Sequence, residues 1–315
     1  MKSPRVVSLL PAATEIVAAL GFADALVGRS HECDFPEEVA ALPVCTEAKL
    51  DPSRPSEEIH RSVGALLSDA LSIYRVDAEK LRSLAPTHVV TQVQCEVCAV
   101  SFADVTAALA GWVGERPELV PLNPGSLEDV FADIARVAGA LGAPERGRRL
   151  VAHLRSRMDA IAARAAALPS RPRVVTLEWL SPLMTAGNWM PELVEMAGGE
   201  DLLGEPGRHS EWLDWQAVLR ADPDILVAIP CGFSLARVER EAALLPSLPG
   251  WHEVAAVRAG RVYLAEANQF FNRPGPRLAE TLEILAEMLH PDAFSFGHSG
   301  SAWHPLATAA AFRAP

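Results

Sequence analysis

Short apolar runs rich in valine, isoleucine and leucine alternate with helical patterns along the chain, which is the order of elements typical of an α/β protein. The run at 5–10 is repeated at 173–178, and each run leads into a helical segment that ends at a glycine, Gly21 or Gly198. Glycine commonly ends a helix because it adopts a left-handed conformation without strain. The repeat predicts two similar lobes.

A second repeat supports this interpretation. The segments at 81–90 and 219–227 each combine a short helical pattern, a proline and an apolar run. The proline ends the helix because it lacks a backbone donor and clashes with the preceding turn. This order is common in α/β proteins, but two repeats in the same sequence favour two Rossmann-like lobes, each with a small and mostly parallel sheet.

One long helical pattern between the repeats is predicted to join the lobes. It runs from 143 to 168 with apolar residues at helical spacing, and about 25 residues at ~1.5 Å each span roughly 35–40 Å. After Pro291 the periodicity is lost. The predicted segments are an N-terminal lobe, a linker helix, a C-terminal lobe and a C-terminal extension, over residues 1–142, 143–169, 170–291 and 292–315.

The composition is that of an acidic globular chain. Half of its 315 residues are hydrophobic and the formal net charge is −12, which argues against a nucleic-acid surface because such surfaces need clustered Lys and Arg. No apolar run reaches the roughly 20 residues of a membrane span. The first apolar run begins at Arg5, which leaves no room for a secretory signal before it. We therefore expect a cytoplasmic monomer, and a periplasmic or extracellular location only if a signal has been removed.

Several segments resemble those of ABC-transporter substrate-binding proteins of the class III type, in which a rigid helix joins two lobes. The resemblance is closest to the periplasmic cobalamin (vitamin B12)-binding proteins and covers residues 4–290. It is carried by segments in the same order at 6–15, 81–92, 185–187, 198–200 and 273–278. The resemblance implies a periplasmic-binding-protein-like fold with the ligand cleft between the lobes, and a corrinoid or another metal chelate as the ligand.

The resemblance also implies docking on a permease through one acidic residue of each lobe. Glu79 supplies the acid in lobe one, whereas the matching position in lobe two holds Gln216, with Glu211 or Asp214 as substitutes. The missing docking charge and the missing signal both argue against transport. We therefore expect an intracellular binding protein on a transport scaffold.

Ligand-binding side chains are expected in loops at the carboxyl ends of the strands, where open α/β sheets bind ligands. In lobe one, the candidates are His31, Glu32, Cys33, Gln92 and Cys95. Cys95 and Cys98 form a Cys-x-x-Cys pair, whose spacing suits one soft metal ion or dithiol chemistry. His31, Cys33 and Cys231 are the available further metal ligands. Buried thiols without a metal are the alternative interpretation.

Aromatic side chains dominate the corresponding loops of lobe two. The chain has seven tryptophans and only two tyrosines, which favours a broad apolar ligand held against aromatic faces. The candidates are Trp179, Trp189, Trp212, Phe270, Phe271, Asn272 and Arg273. Asn272 and Arg273 are suited to bond the polar edge of such a ligand. The alternatives are that Arg273 is a structural tie to its loop, and that Trp212 and Trp215 form one core face of a helix.

Three functions stay open at this point. The first is a binding protein for cobalamin or another corrinoid, with that ligand as its only implied cofactor. The second is a metal- or thiol-dependent enzyme or redox protein that uses His31, Glu32, Cys33 and the Cys95/Cys98 pair. No phosphate-loop, His-Glu-x-x-His or Gly-x-Ser-x-Gly motif is present, so we expect binding rather than catalysis. The third is binding of haem or a siderophore, although an anionic siderophore calls for cationic side chains and the candidates offer only Arg273 and Arg208.

Overall fold

Buried apolar runs form the centre of each sheet, as the sequence predicts. The computed structural model describes residues 3–68, 73–93, 102–110, 112 and 115–307. The chain divides into two compact units, Met1–Leu154 and Arg155–Pro315. Each unit contains a mostly parallel sheet, which confirms the predicted pair of α/β lobes.

The first unit is built around four parallel strands. Its strands are β1 (Val6–Ser8), β2 (Leu26–Arg29), β3 (Thr46–Ala48), β4 (Tyr74–Val76), β5 (His88–Gln92) and β6 (Glu118–Leu122). The sheet order is β2-β1-β5-β6, while β3 and β4 form a separate antiparallel pair. β1 is buried at every residue because it lies in the middle of the sheet. The carboxyl ends of β1, β2 and β5 therefore meet at one edge.

Helices flank this sheet. They are α1 (Pro11–Ala19), α2 (Ser56–Ser68), α3 (Ala78–Ser83), α4 (Phe102–Ala108) and α5 (Leu127–Ala140). α5 begins with a capping box, in which the side chains of Ser126 and Asp129 each accept the other's backbone N–H, and such a box satisfies donors that the first helical turn leaves free. Val7, Leu9, Leu81 and Val89 belong to one apolar core.

One long helix, α6 (Pro144–Ala166), begins in the first unit and ends in the second. Pro144 occupies its first turn, where the missing N–H costs nothing. The buried positions recur every three or four residues, at Leu154, Met158, Ile161 and Ala165. This face has the apolar spacing from which the sequence predicts one long helix.

The second unit has a larger sheet. Its strands are β7 (Arg173–Leu180), β8 (Leu183–Thr185), β9 (Glu200–Asp201), β10 (Ile225–Ala228), β11 (Val262–Ala265) and β12 (Trp303–Pro305). The order is β12-β11-β10-β7-β8, and β9 pairs with the start of β7. β7, β10 and β11 are parallel to one another, so their carboxyl ends share one edge.

The helices of the second unit cover this sheet. They are α7 (Met190–Met196), α8 (Trp215–Ala221), α9 (Leu235–Ala242), α10 (Ala255–Arg258) and α11 (Leu278–Leu289), with a π-helical turn at Ala267–Phe271. α11 is buried along almost its whole length and packs on α7. A Cβ on Gly199 would lie 2.6 Å from Leu289, which explains why glycine stands at this point.

Lowering the pH below 6.5 should destabilise the second unit through His290. Burial lowers the pKa of His290, its hydrogen bond to the Gly198 carbonyl opposes this, and the charge of Arg261 adds to the lowering. The unfolded chain therefore takes up a proton near pH 6.5 before the folded chain does. The free energy of unfolding should fall with the pH, by up to about 1.4 kcal/mol per pH unit from this group.

Urea denaturation at pH 7.5 and pH 5.5 measures this effect. His290→Gln, which cannot be protonated, should lose less stability between the two pH values than the wild-type protein. An equal loss in both proteins would assign the pH dependence to other groups.

The C-terminal segment packs on the sheet of the second unit. Residues 296–305, called the C-terminal strap below, are tied to α11 by the carboxylate of Glu287. This carboxylate accepts the backbone N–H groups of Phe296, Gly297 and His298, and the indole N–H of Trp303 at 2.8 Å. β12 pairs antiparallel with the edge of β11. Over the described residues, the expected aperiodic extension thus joins the sheet through β12. One carboxylate and one indole hold the rest of the strap on α11.

Candidate ligand-binding loops

Arg29 ties down the loop that follows β2. Its guanidinium donates to the carbonyls of Ser30 and Cys33, both at 3.0 Å, and to the carbonyl of Ala40 at 3.0 Å. The backbone N–H of Glu32 donates to the Ser30 hydroxyl at 3.2 Å. These bonds hold the loop that carries His31 and the half-buried Glu32 in one conformation.

His31 is held by a single threonine. Its backbone N–H donates to Thr46 Oγ1 at 3.1 Å, and its ring Nδ1 lies 2.8 Å from the same oxygen. Burial and the charge of Arg29 lower the pKa of His31, against the raising effect of Glu47. The imidazole is therefore neutral at neutral pH, and Nε2 is on the side of the ring away from Thr46. Its ring centre lies 5.5 Å from that of Tyr74.

Cys33 lies inside the unit, with 1% of its surface exposed. Thr14 Oγ1 lies 3.0 Å from the sulfur and 2.8 Å from Ser8 Oγ, while Ser30 Oγ lies 3.4 Å from the sulfur. The thiol thus belongs to a small buried polar cluster. Direct contact between Cys33 and a ligand, which the sequence predicts, requires the loop to move.

The other predicted thiol residues are spread over the chain. Cys95 and Cys98 lie outside the described residues. Cys231 is half-buried in the second unit, where its backbone N–H donates to the Glu178 carbonyl at 3.0 Å. Within the described residues, no group of three His, Cys, Asp or Glu side chains could hold a metal ion. Gln92, the remaining candidate of this unit, is buried at the end of β5.

An aromatic and cationic stack follows β7 and β10 in the second unit. The rings of Trp179 and Phe233 have centres 5.2 Å apart, and the guanidinium carbon of Arg237 lies 3.6 Å from the centre of the Phe233 ring. The Trp179 indole N–H donates to the Ser181 carbonyl at 3.1 Å. Trp179 and Arg237 are both half-buried, so part of this stack is open to solvent.

A tight backbone crossing shapes the neighbouring loop. Gly187 follows β8, and a Cβ at this position would lie 2.4 Å from the Arg208 carbonyl oxygen. The Gly187 N–H donates to Ser210 Oγ at 3.1 Å, and that hydroxyl donates to Glu178 Oε2 at 2.6 Å. The segment 208–210 is thus fixed against the carboxyl end of β7.

Gly187→Ala should lower the free energy of unfolding by about 1–3 kcal/mol, because the added methyl must push the 208–210 segment away. Thermal denaturation followed by circular dichroism measures this loss. Gly139→Ala is the matched control, since a Cβ at Gly139 meets nothing within 4 Å. Gly207→Ala is not a matched control, because Gly207 has a positive φ. Equal stability of both variants would contradict the crossing.

Three predicted aromatic or cationic candidates of this unit lie in its interior. Trp189 is buried and its indole N–H donates to the Phe271 carbonyl at 3.2 Å, while Phe271 and Arg273 are also buried. Trp189 thus holds the turn at Ala267–Phe271 from inside. Trp212 differs, because 59% of its surface is exposed and it lies outside α8. Of Trp212 and Trp215, only the latter therefore belongs to the buried face of α8.

Phe270 is the half-buried aromatic of the same turn. The guanidinium carbon of Arg277 lies 5.3 Å from the centre of its ring, and the imidazole of His298 meets the ring edge-on at 6.2 Å. His298 also bonds Glu283 at 2.9 Å, which links the C-terminal strap to this turn. Asn272 follows, and its buried Oδ1 has no hydrogen-bond partner among the described residues.

Large apolar side chains are exposed at few places in the described part of the chain. They are Phe35, Val93, Trp212 and Phe296. Phe35 lies in the loop after β2, and Val93 directly follows β5. Trp212 pairs with Met184 of β8, which itself pairs with Trp179 near the end of β7. Apart from Phe296 of the C-terminal strap, these exposed side chains thus lie at the carboxyl edge of the sheet of their unit.

Several residues of these loops were not predicted from the sequence. They are Arg29, Arg237 and Arg277. Phe233 and Arg237 are four residues apart across the start of α9, and i, i+4 pairs meet on a helix. An aromatic residue and an arginine spaced by four residues after a predicted strand therefore indicate this contact from the sequence.

The predicted docking positions lie on matching helices. Glu79 is in the first turn of α3 and Gln216 in the first turn of α8, and both are exposed. Each helix is capped by an aspartate, Asp77 or Asp214, whose carboxylate accepts a backbone N–H of the first turn. The local structure repeats between the units, whereas the acidic charge at this position does not.

These features define a protein of two α/β units, each with large apolar side chains exposed at the carboxyl edge of its sheet. The profile of the periplasmic binding protein family matches residues 6–268, and the chain belongs to that family. It is 27% identical over 299 residues to the uncharacterized ABC transporter substrate-binding lipoprotein YvrC of Bacillus subtilis, which covers 93% of this chain and 82% of the relative.

Solved structures support the same fold. The apo form of the periplasmic haem-binding protein RhuT from Roseiflexus sp. RS-1 is 25% identical, with a TM-score of 0.68 over 92% of this chain and 99% of its own. The periplasmic vitamin B12-binding protein BtuF of Vibrio cholerae is 19% identical, with a TM-score of 0.64 over 91% of this chain and 96% of its own; this likeness concerns the fold alone.

The family membership bears on the expected location. The curated relative is a substrate-binding lipoprotein, so the cytoplasmic and transport-independent protein expected from the sequence finds no support in these likenesses. Among the described residues, no helix combines the length and the apolar character that crossing a bilayer requires.

Proposed function

We propose that this protein binds a metal-chelate macrocycle of the tetrapyrrole type, such as a corrinoid or haem, and delivers it to an ABC transporter on the outer side of the membrane. The exposed apolar side chains carry the proposal. Phe35, Val93 and Trp212 are exposed by 43%, 47% and 59% and follow or flank the carboxyl ends of strands, where α/β sheets bind ligands. Exposed apolar surface of this kind in either unit suits contact with a broad apolar ligand.

Polar groups in the loops of each unit suit contact with the rim of such a ligand. In the second unit, Asn272 has a buried oxygen without a hydrogen-bond partner among the described residues, and amide groups bond both donors and acceptors. In the first unit, the neutral imidazole of His31 is suited to approach the metal of a chelate. RhuT is described as haem-binding and BtuF as vitamin B12-binding, which places both ligands in the class to be tested.

Thiol chemistry has less support from the described residues. Cys33 and Cys45 are buried, and burial raises the pKa of Cys45 to about 11. A thiol with such a pKa is protonated at neutral pH and is a poor nucleophile.

Delivery to a transporter would use the exposed first turns of α3 and α8. Glu79 supplies the acid in the first unit, and Asp214 or Glu211 supplies it in the second, since all three side chains are exposed. Protease accessibility in intact cells tests the location, because only a protein outside the cytoplasmic membrane is digested before lysis.

Equilibrium titration tests the ligand. Absorbance spectra of iron protoporphyrin IX and of cyanocobalamin, titrated with the protein, should show saturable binding of at least one of them at micromolar concentration. A ferric tris-catecholate serves as a metal chelate without a macrocycle and should not bind. Trp212→Ala should weaken binding, whereas Phe296→Ala, which removes an exposed aromatic outside these loops, should not. Failure of both macrocycles to bind would refute the proposal.

A further inference from the structure

The turn that follows β11 is held by two hydrogen bonds to its backbone. Thr281 Oγ1 donates to the Phe270 carbonyl at 2.6 Å, and the Trp189 indole N–H donates to the Phe271 carbonyl at 3.2 Å. Phe271 is fully buried, whereas its neighbour Phe270 is half-buried. The ring of Phe270 is therefore a part of this turn that stays partly open to solvent.

The C-terminal strap contacts the same turn at two points. The backbone N–H of Glu266, at the end of β11, donates to the Ala302 carbonyl at 2.7 Å. The imidazole of His298 meets the ring of Phe270 edge-on, with the two ring centres 6.2 Å apart. Aromatic pairs favour such an edge-on arrangement at roughly 4.5–7 Å. The strap thus reaches both the start of the turn and its half-buried ring.

The imidazole of His298 is itself fixed by a network of polar contacts. Its Nε2 lies 2.9 Å from Glu283 Oε2, and Oε1 of the same carboxylate accepts from Arg157 of α6 at 2.9 Å. The backbone N–H of His298 donates to Glu287 at 3.3 Å. The side chains of His298 and Glu283 are only 19% and 10% exposed. A ring held at its backbone and at Nε2 has little rotational freedom, so it presents a fixed edge to Phe270.

We infer that His298 is a positioning residue for ligand binding, which holds the ring of Phe270 in the orientation that contacts the macrocycle. The inference rests on the proposed function and adds to it a residue of the C-terminal strap, which lies outside the residues 6–268 matched by the family profile. Phe270 follows β11 at the carboxyl edge of the sheet, where α/β proteins bind ligands. A side chain that is fixed before binding loses less conformational entropy when the ligand arrives. His298 therefore acts on the affinity through Phe270 and needs no contact of its own with the ligand.

Absorbance titrations with iron protoporphyrin IX and with cyanocobalamin measure this role. Phe270→Ala should weaken binding of the macrocycle that the wild-type protein binds by about 10- to 30-fold, because it removes an aromatic contact. His298→Ala should weaken it by about 3- to 10-fold, the cost of immobilising one freed side chain. The double variant should lose no more than Phe270→Ala alone, within about twofold, because His298 acts only through Phe270.

Two further variants separate a positioning role from a purely structural one. His298→Phe keeps an aromatic ring against Phe270 and loses the contact with Glu283. His298→Gln keeps a hydrogen-bond donor for Glu283 and loses the ring. We expect His298→Phe to stay within about twofold of the wild-type affinity and His298→Gln to bind as weakly as His298→Ala. Urea denaturation gives the stability of each variant. Affinities that follow stability, or that Gln restores and Phe does not, would overturn the inference.

His304→Ala is the matched control. His304 is the second histidine of the strap, and its imidazole bonds Glu239 of α9 at 2.6 Å. The variant should leave the affinity unchanged. Unchanged affinity of Phe270→Ala or of His298→Ala, or losses that multiply in the double variant, would overturn the inference while the proposed function stands. If neither macrocycle binds the wild-type protein, the proposed function is refuted, and the inference with it.

Discussion

Trp303→Ala should lower the free energy of unfolding by about 3–5 kcal/mol, which is the usual cost of truncating a buried tryptophan. Trp303 is buried in the C-terminal strap and lies edge-on to Tyr263 at 5.2 Å. Its loss opens a cavity against β11 and removes one of the hydrogen bonds that the Glu287 carboxylate accepts.

The size of this effect follows from how the strap is held. Glu287 is buried, which by itself raises the pKa of its carboxyl, but hydrogen bonds from Trp303 and from the strap backbone lower the pKa overall. The carboxylate is therefore charged at neutral pH and depends on its donors. A buried charge that loses a donor is costly, so the indole contributes to stability through both its area and its N–H.

Trp303→Phe separates these two contributions. Phenylalanine keeps most of the apolar contact with Tyr263 but has no donor, and it should cost only about 1–2 kcal/mol. Urea denaturation measures the stability of both variants. Hydrogen exchange at the backbone of β11 should accelerate in Trp303→Ala, because β12 pairs with this strand. A Trp303→Ala protein within about 1 kcal/mol of the wild type would show that the strap adds little to the fold.

The strap illustrates what a periodic pattern cannot reveal. Buried apolar runs at β1, β7 and β10 and the apolar face of α6 recur along the sequence, so the lobes and the linker helix were predictable. The strap depends on one carboxylate and one indole that lie 16 residues apart. A single long-range contact of this kind leaves no repeat in the sequence. The sequence therefore predicted only an extension for this segment.

Loop side chains were predictable in position but not in direction. Phe270 and Phe271 are adjacent, and the structure buries Phe271 while Phe270 stays half-buried beside Arg277. Sequence places both in the loop after β11, yet their directions depend on the backbone of the turn. The same applies to Trp189, which points inward to the Phe271 carbonyl. The direction of each side chain decides whether it packs or is available to a ligand.

Trp179→Ala should weaken binding of iron protoporphyrin IX by about 30-fold, or ~2 kcal/mol, if the stack of Trp179, Phe233 and Arg237 forms part of the ligand-binding surface. Trp179 is half-buried beside Phe233, and its ring supplies contact area at little cost in conformational entropy. Its removal also withdraws the support of the Phe233 ring, on which Arg237 lies.

A second tryptophan of the same unit provides the control. Trp251 is buried and stacks on Trp215 at 5.8 Å, ahead of α10 and outside the carboxyl edge of the sheet. Trp251→Phe should lower the stability of the protein and leave its affinity unchanged. Trp179→Ala should lower the affinity and leave the stability unchanged. Fluorescence-monitored denaturation and absorbance titration give both quantities for each variant. Equal affinities of Trp179→Ala and the wild type would remove the aromatic stack from the ligand-binding surface.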